Sequence, residues 1–148
     1  MTMLTFSLDE YYRLPLFEVD DERHRALGGW ITTDISIYKR TCLDALAVVA
    51  DLVAGQPPSE EWSSENYEVA FGPWGLRFQN VWGPDQRGEY TLAEVKEAVE
   101  EYWTFLASIP DNPRLIREYR PDLPEREAEL LLWEETWERP HPYRGVLF

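Results

Sequence analysis

Cysteine is almost absent from this chain. Cys42 is the only one, so an intramolecular disulfide is excluded, and no Cys-x-x-Cys pair exists to bind zinc or carry redox chemistry. Histidine is nearly as scarce: His24 and His141 are the only near-neutral proton carriers, and each lies in a charged or Pro-rich stretch, away from any triad fragment. Gly-x-Ser-x-Gly, His-Glu-x-x-His and a Gly-rich loop ending in Lys are missing, so the usual local signals of hydrolase, zincin and nucleotide sites are absent. No apolar run approaches the length of a membrane span, and the first residues lack a basic start followed by an apolar stretch. These features predict a soluble, cytoplasmic, non-catalytic protein without metal or cofactor.

Cationic residues are also few. Against 14 Lys and Arg stand 28 Asp and Glu, a net charge of −14, which repels phosphate backbones and anionic headgroups. Direct nucleic-acid and membrane-surface partners are thereby disfavoured. The acid excess is uneven: residues 110–148 hold six basic and nine acidic residues, a balance of −3, leaving −11 for residues 1–109. Aromatic residues make up 14% of the chain and apolar residues 44%, too many for a disordered composition, and 148 residues suffice for one core.

The organising stretch runs from residue 66 to 109. Tyr67, Val69 and Phe71 share one parity, and Trp74, Leu76 and Phe78 another, with Gly72, Pro73 and Gly75 as the turn: a β-hairpin. Thr91 stands three residues before Glu94, a capping box that predicts a helix start. Leu92, Val95, Val99, Tyr102, Leu106 and Ile109 then follow helical spacing, while Glu94, Glu97, Glu100 and Glu101 make the other side anionic. A second long helix is predicted from Asp34 or Ser36 to a stop at Gly55, with Cys42 inert on its apolar face. Elsewhere, Ser7 and Glu10 have capping-box spacing and predict a short helix ending before Pro15. Leu16 to Val19 reads as an edge strand, and Asp20 to Arg25 as a solvated turn running to Gly28-Gly29. The acids Asp20, Asp21 and Glu22 lack the alternating spacing of a cation loop. Residues 56–64 read as a loop, 114–120 as a short helix between prolines, and Pro124 as the opening of a last helix. That helix is rich in Leu130, Leu131, Leu132, Trp133 and Trp137.

The predicted architecture is a single α+β domain. A small antiparallel sheet containing 66–71 and 76–82 packs on helices near 36–54 and 92–108, and residues 110–148 form a helical extension. Trp74, Phe78, Val95, Val99, Tyr102, Leu106, Leu46 and Val49 are its expected core. The segment from Asn66 through Trp74-Gly75-Leu76-Arg77-Phe78-Gln79-Asn80, with Glu89-Tyr90-Thr91-Leu92-Ala93-Glu94 and Tyr102-Trp103-Thr104-Phe105-Leu106, resembles the immunity proteins of bacterial contact-dependent growth inhibition and related polymorphic toxin systems. The resemblance covers about a third of the chain and departs at Glu65, where that family commonly has Gly. It implies a protein that binds and neutralises one cognate toxin, often a nuclease. On this reading Glu94, Glu97, Glu100 and Glu101 are the leading contacts with a basic partner, Glu60, Glu61 and Glu68 are secondary, and Trp62 and Trp103 are candidate aromatic anchors, Trp103 ranking below the glutamates because a Trp on an amphipathic helix is more often a core residue. The alternative is an adaptor that forms a homodimer through the Leu- and Trp-rich C-terminal helix.

Overall fold

Two strands, β1 (Leu4–Leu8) and β2 (Pro15–Val19), open the chain as an antiparallel pair, with Phe6 opposite Phe17. They belong to a computed structural model that describes residues 3–57, 62–72 and 75–148. The edge strand at 16–19 is as expected, but the short helix after Ser7 is not formed: Ser7 lies in β1 opposite Leu16. Alternation prevails there because it buries Leu4 and turns Phe6 onto the domain, where its ring meets Tyr102 at 4.7 Å. Asp9 organises the connecting turn instead, its carboxylate accepting from the Tyr11 and Tyr12 N–H groups at 3.1 and 2.5 Å.

The stretch read as a solvated turn is a compact run of helix. A 3₁₀ turn (Glu22–His24) leads into α1 (Arg25–Trp30) and then a π-helical turn (Ile31–Ile35). Apart from Asp34 its charges occupy the entrance, whereas Ala26, Leu27, Trp30, Ile31 and Ile35, at helical spacing, are all buried. Gly28 and Gly29 are not turn residues but points of close approach. A Cβ at Gly28 would meet the Phe17 ring, and one at Gly29 the Tyr67 hydroxyl. Ser36, at φ +53, breaks this run, so the next helix, α2 (Lys39–Val53), starts later than the predicted 34 or 36. It ends as predicted, before Gly55 at φ +77.

The predicted hairpin forms β3 (Tyr67–Gly72) and β4 (Gly75–Asn80), with Val69 opposite Phe78. A third strand, β5 (Arg87–Tyr90), adds to β4 with Tyr90 opposite Leu76. It had no sequence signal, because four residues with three polar or Gly positions show no period. Its one large side chain, Tyr90, joins Tyr67, Val69, Leu76 and Phe78 on the buried face. That face rests on α1, where Trp30 lies 5.0 Å from the Phe78 ring. Trp74 lies outside the described residues.

Helix α3 (Leu92–Ser108) begins at the predicted capping box. Glu94 N–H donates to Thr91 Oγ1 at 3.1 Å, and Thr91 N–H to Glu94 Oε1 at 3.0 Å. It packs along α2, and Leu46, Val49, Val95, Val99, Tyr102, Leu106 and Phe78 are buried as expected. The expected helix at 114–120 is absent; Leu115 and Ile116 are exposed, so no apolar face there repays ordering a helix between two prolines. The last helix, α4 (Glu125–Trp137), does start after Pro124 and lies on α2. Trp133 Nε1 donates to Asp44 at 2.8 Å, and Arg139 grips Asp51 through both nitrogens at 3.0 and 3.3 Å. Leu130, Trp133 and Tyr143 enter the same core as the hairpin, so residues 110–148 are part of the domain and not an appendage. The architecture is α+β, with two small antiparallel sheets around helices.

Gly75 sits at φ +127, and a Cβ there would collide with the Tyr90 carbonyl oxygen. Gly75→Ala is expected to destabilise the domain by about 2–4 kcal/mol through strain and a splayed β4–β5 pair, measured by urea unfolding.

Candidate partner-binding surface

The four leading glutamates divide into different environments. Glu94 faces inward along the chain: besides the Thr91 N–H it takes the Arg23 guanidinium and lies 3.4 Å from His24 Nε2. Partial burial works against its ionisation, but Arg23, the Thr91 N–H and His24 outweigh this and hold the carboxyl down to about 2. Glu94 is therefore a clasp between α3 and the 3₁₀ turn, its carboxylate already engaged within the domain. Glu100 is partly engaged, since Lys96 one turn earlier donates to it at 2.9 Å.

Glu97 and Glu101 differ. They stand one turn apart on the outer side of α3, and among the described residues neither takes part in a hydrogen bond or ion pair. Partial burial and the adjacent Glu97 charge push the Glu101 carboxyl above its ordinary value, and its Oε2 is enclosed without a partner. Like charges at this spacing repel, so the pair carries an electrostatic cost. Glu68 is exposed on the outer face of β3, opposite Gln79, on a face that also carries the Arg77–Glu89 pair at 2.7 Å. Glu60 and Glu61 lie outside the described residues.

Both expected anchors are core residues. Trp62 is 8% exposed and packs 4.8 Å from the tilted Trp30 ring, and Trp103 is 3% exposed with the Phe148 ring at 5.1 Å. An indole on an amphipathic helix contributes more by leaving water than by waiting for a partner. The most exposed aromatic residues among the described ones are instead Tyr11 and Tyr12 in the β1–β2 loop, Tyr38 before α2 and Trp82 after β4. No periodic pattern marks them, because they occupy loops; only their position between elements hinted at exposure. Of the expected homodimer seam on α4, Leu130 and Trp133 are buried inside the domain, Leu131 and Leu132 are half-buried, and Trp137 is exposed.

The remaining chemical candidates have structural duties. Cys42 is fully buried, and burial pushes its thiol up, away from a nucleophile's range. His141 Nε2 donates to the Leu43 carbonyl at 2.9 Å while Nδ1 accepts from Tyr143 N–H at 3.1 Å. Both ring nitrogens are thus committed in the neutral form, and burial lowers its pKa. Among the described residues no cluster of three His, Cys, Asp or Glu is placed to hold a metal ion, and no helix is long and apolar enough to cross a membrane. Compared with known proteins, the chain matches no protein-family model, no curated protein and no solved structure.

The Glu94 clasp yields a pH prediction. Its folded pKa, about 2, lies below the ordinary value of 4.5, so the stability it contributes is full above pH 4.5 and is lost as pH falls toward 2. Glu94→Gln is expected to cost about 1–2 kcal/mol at pH 7. Denaturant curves of the two proteins should converge across that acid window; a gap independent of pH would show that the charge is irrelevant.

Proposed function

We propose that this chain is an immunity protein that binds a basic protein toxin of the nuclease class and neutralises it through its acidic surface. The observation that carries this reading is the Glu97–Glu101 pair. It presents two carboxylates on the rigid outer turn of a 17-residue helix, repelling one another and unmatched by any cation in an ion pair among the described residues. A partner's Lys or Arg that reaches between them relieves the repulsion and satisfies the enclosed Glu101 oxygen, so binding gains both an ion pair and the removal of a cost. The −11 balance of residues 1–109 extends the field around that point and accelerates encounter with a cation-rich surface. Such a surface is the phosphate-binding groove of a nuclease, which an acidic helix face occupies in place of substrate.

Glu68 belongs to this surface as an exposed acid, while Glu94 serves it indirectly by fixing the start of α3. The resemblance of the hairpin and helix segments to toxin immunity proteins points the same way. The test pairs this protein with the product of the neighbouring reading frame and measures association kinetics. Glu97→Lys with Glu101→Lys is expected to slow association on the order of tenfold at low salt, with a flattened salt dependence. Unchanged kinetics and undiminished protection in cells would remove these glutamates from the interface, and absence of binding by the wild type would reject that product as the partner.

A further inference from the structure

Against the anionic character of the chain, one groove is cationic. It has a volume of about 900 Å³ and lies where the β1–β2 loop, the start of α2, the end of α3 and the segment leading into α4 meet. Leu8, Leu106, Ile109 and Leu115 give it an apolar wall. Its charged groups are Arg13, Lys39 and Arg40 against Glu125 and Glu129, three cations to two carboxylates in a chain whose acids outnumber its bases two to one.

Two of these cations are matched: Lys39 Nζ lies 3.3 Å from Glu125 Oε1, and Arg40 Nε 3.2 Å from Glu129 Oε2. The match is incomplete at Lys39. Its side chain is only 8% exposed, yet its ammonium has three donors and meets one acceptor at long range. Arg13 has no carboxylate partner among the described residues. The start of α2 adds positive potential, because Lys39 and Arg40 occupy a first turn that holds no acid, against the preference set by the helix dipole. Tyr38 supplies no side-chain cap there. An apolar wall ending in unspent N–H donors recognises an anion with a hydrocarbon body, and the volume falls within the range of small-molecule sites, about 300–1,000 Å³.

We propose that this groove is a binding site for a small apolar monocarboxylate, whose hydrocarbon lies on Leu8, Leu106, Ile109 and Leu115 and whose carboxylate is held by Arg13 and Lys39. The site is independent of the acidic surface of α3, since Leu106 and Ile109 leave α3 on a different side from Glu97 and Glu101. A toxin-binding role and this ligand site therefore stand or fall separately.

The experiment titrates the full chain with octanoate, below its micellar concentration, with 1-octanol and octylamine as neutral and cationic controls, read by calorimetry. Saturable one-to-one binding of octanoate is expected, with the two controls at least about tenfold weaker. Arg13→Asn tests the charge at an exposed loop position of φ +58, a conformation Asn tolerates, so folding is not at stake. It is expected to weaken octanoate about tenfold, the scale of one charge-assisted hydrogen bond, and to leave octanol unchanged. Absence of saturable octanoate binding, equal binding of octanol, or wild-type octanoate affinity in Arg13→Asn overturns the proposal.

Discussion

The domain depends on two buried phenols that bond to backbone. Tyr90 OH donates to the Arg23 carbonyl at 2.7 Å and accepts from Leu27 N–H at 3.2 Å, and Tyr102 OH donates to the Ser36 carbonyl. Those acceptors lie in the irregular run of 3₁₀, α and π turns between β2 and α2, whose backbone groups lack a continuous helical ladder. A buried phenol without a partner would cost several kcal/mol, and so would an unpaired carbonyl; each tyrosine settles both at once. With that run pinned, Trp30 reaches Phe78 and Trp62, and the three-stranded sheet closes on α1.

The few cations are deployed in the same spirit. Arg23 joins the 3₁₀ turn to α3, Arg40 and Lys39 join α2 to α4, and Arg139 and Arg144 fasten the C-terminal segment to Asp51 and Glu134. All but the Arg144–Glu134 pair bridge elements distant in sequence, and partly exposed pairs of this kind contribute specificity of arrangement more than bulk stability. Committing cations to internal joints also leaves acids such as Glu97 and Glu68 facing solvent without opposite charge in an ion pair among the described residues. The groove between the β1–β2 loop and the start of α2 runs against this trend because Arg13, Lys39 and Arg40 line it.

Much of the interior was legible in sequence. The capping box at Thr91, the alternation of 67–71 and 76–78 and the apolar stripes of α2 and α3 placed each of their elements, because in these stretches local preference and burial agree. Ser7 misled for the opposite reason: a four-residue capping pattern is weaker than the gain from pairing Leu4–Leu8 with Pro15–Val19. The acids that open α1 concealed a core segment, since a charge run at a helix entrance resembles a surface turn until its downstream apolar residues are counted by turns of helix. Of the candidate contacts, the character of Glu97 and Glu101 could be read from spacing, but the capture of Glu94 by Arg23 could not, as those residues are 71 positions apart.

By itself the sequence determined composition-level properties: a strongly anionic α+β chain with one inert thiol, two long amphipathic helices and a hairpin. Those follow from period, capping and charge, which act over a few residues. Tertiary structure alone decided that Trp62 is buried, that Tyr11, Tyr12 and Tyr38 are exposed, and that β5 joins the sheet. The physical reason is common to all three. The exposure of an aromatic ring or the pairing of a polar strand depends on what other segments bring to the same place, and no window of neighbouring residues contains that information.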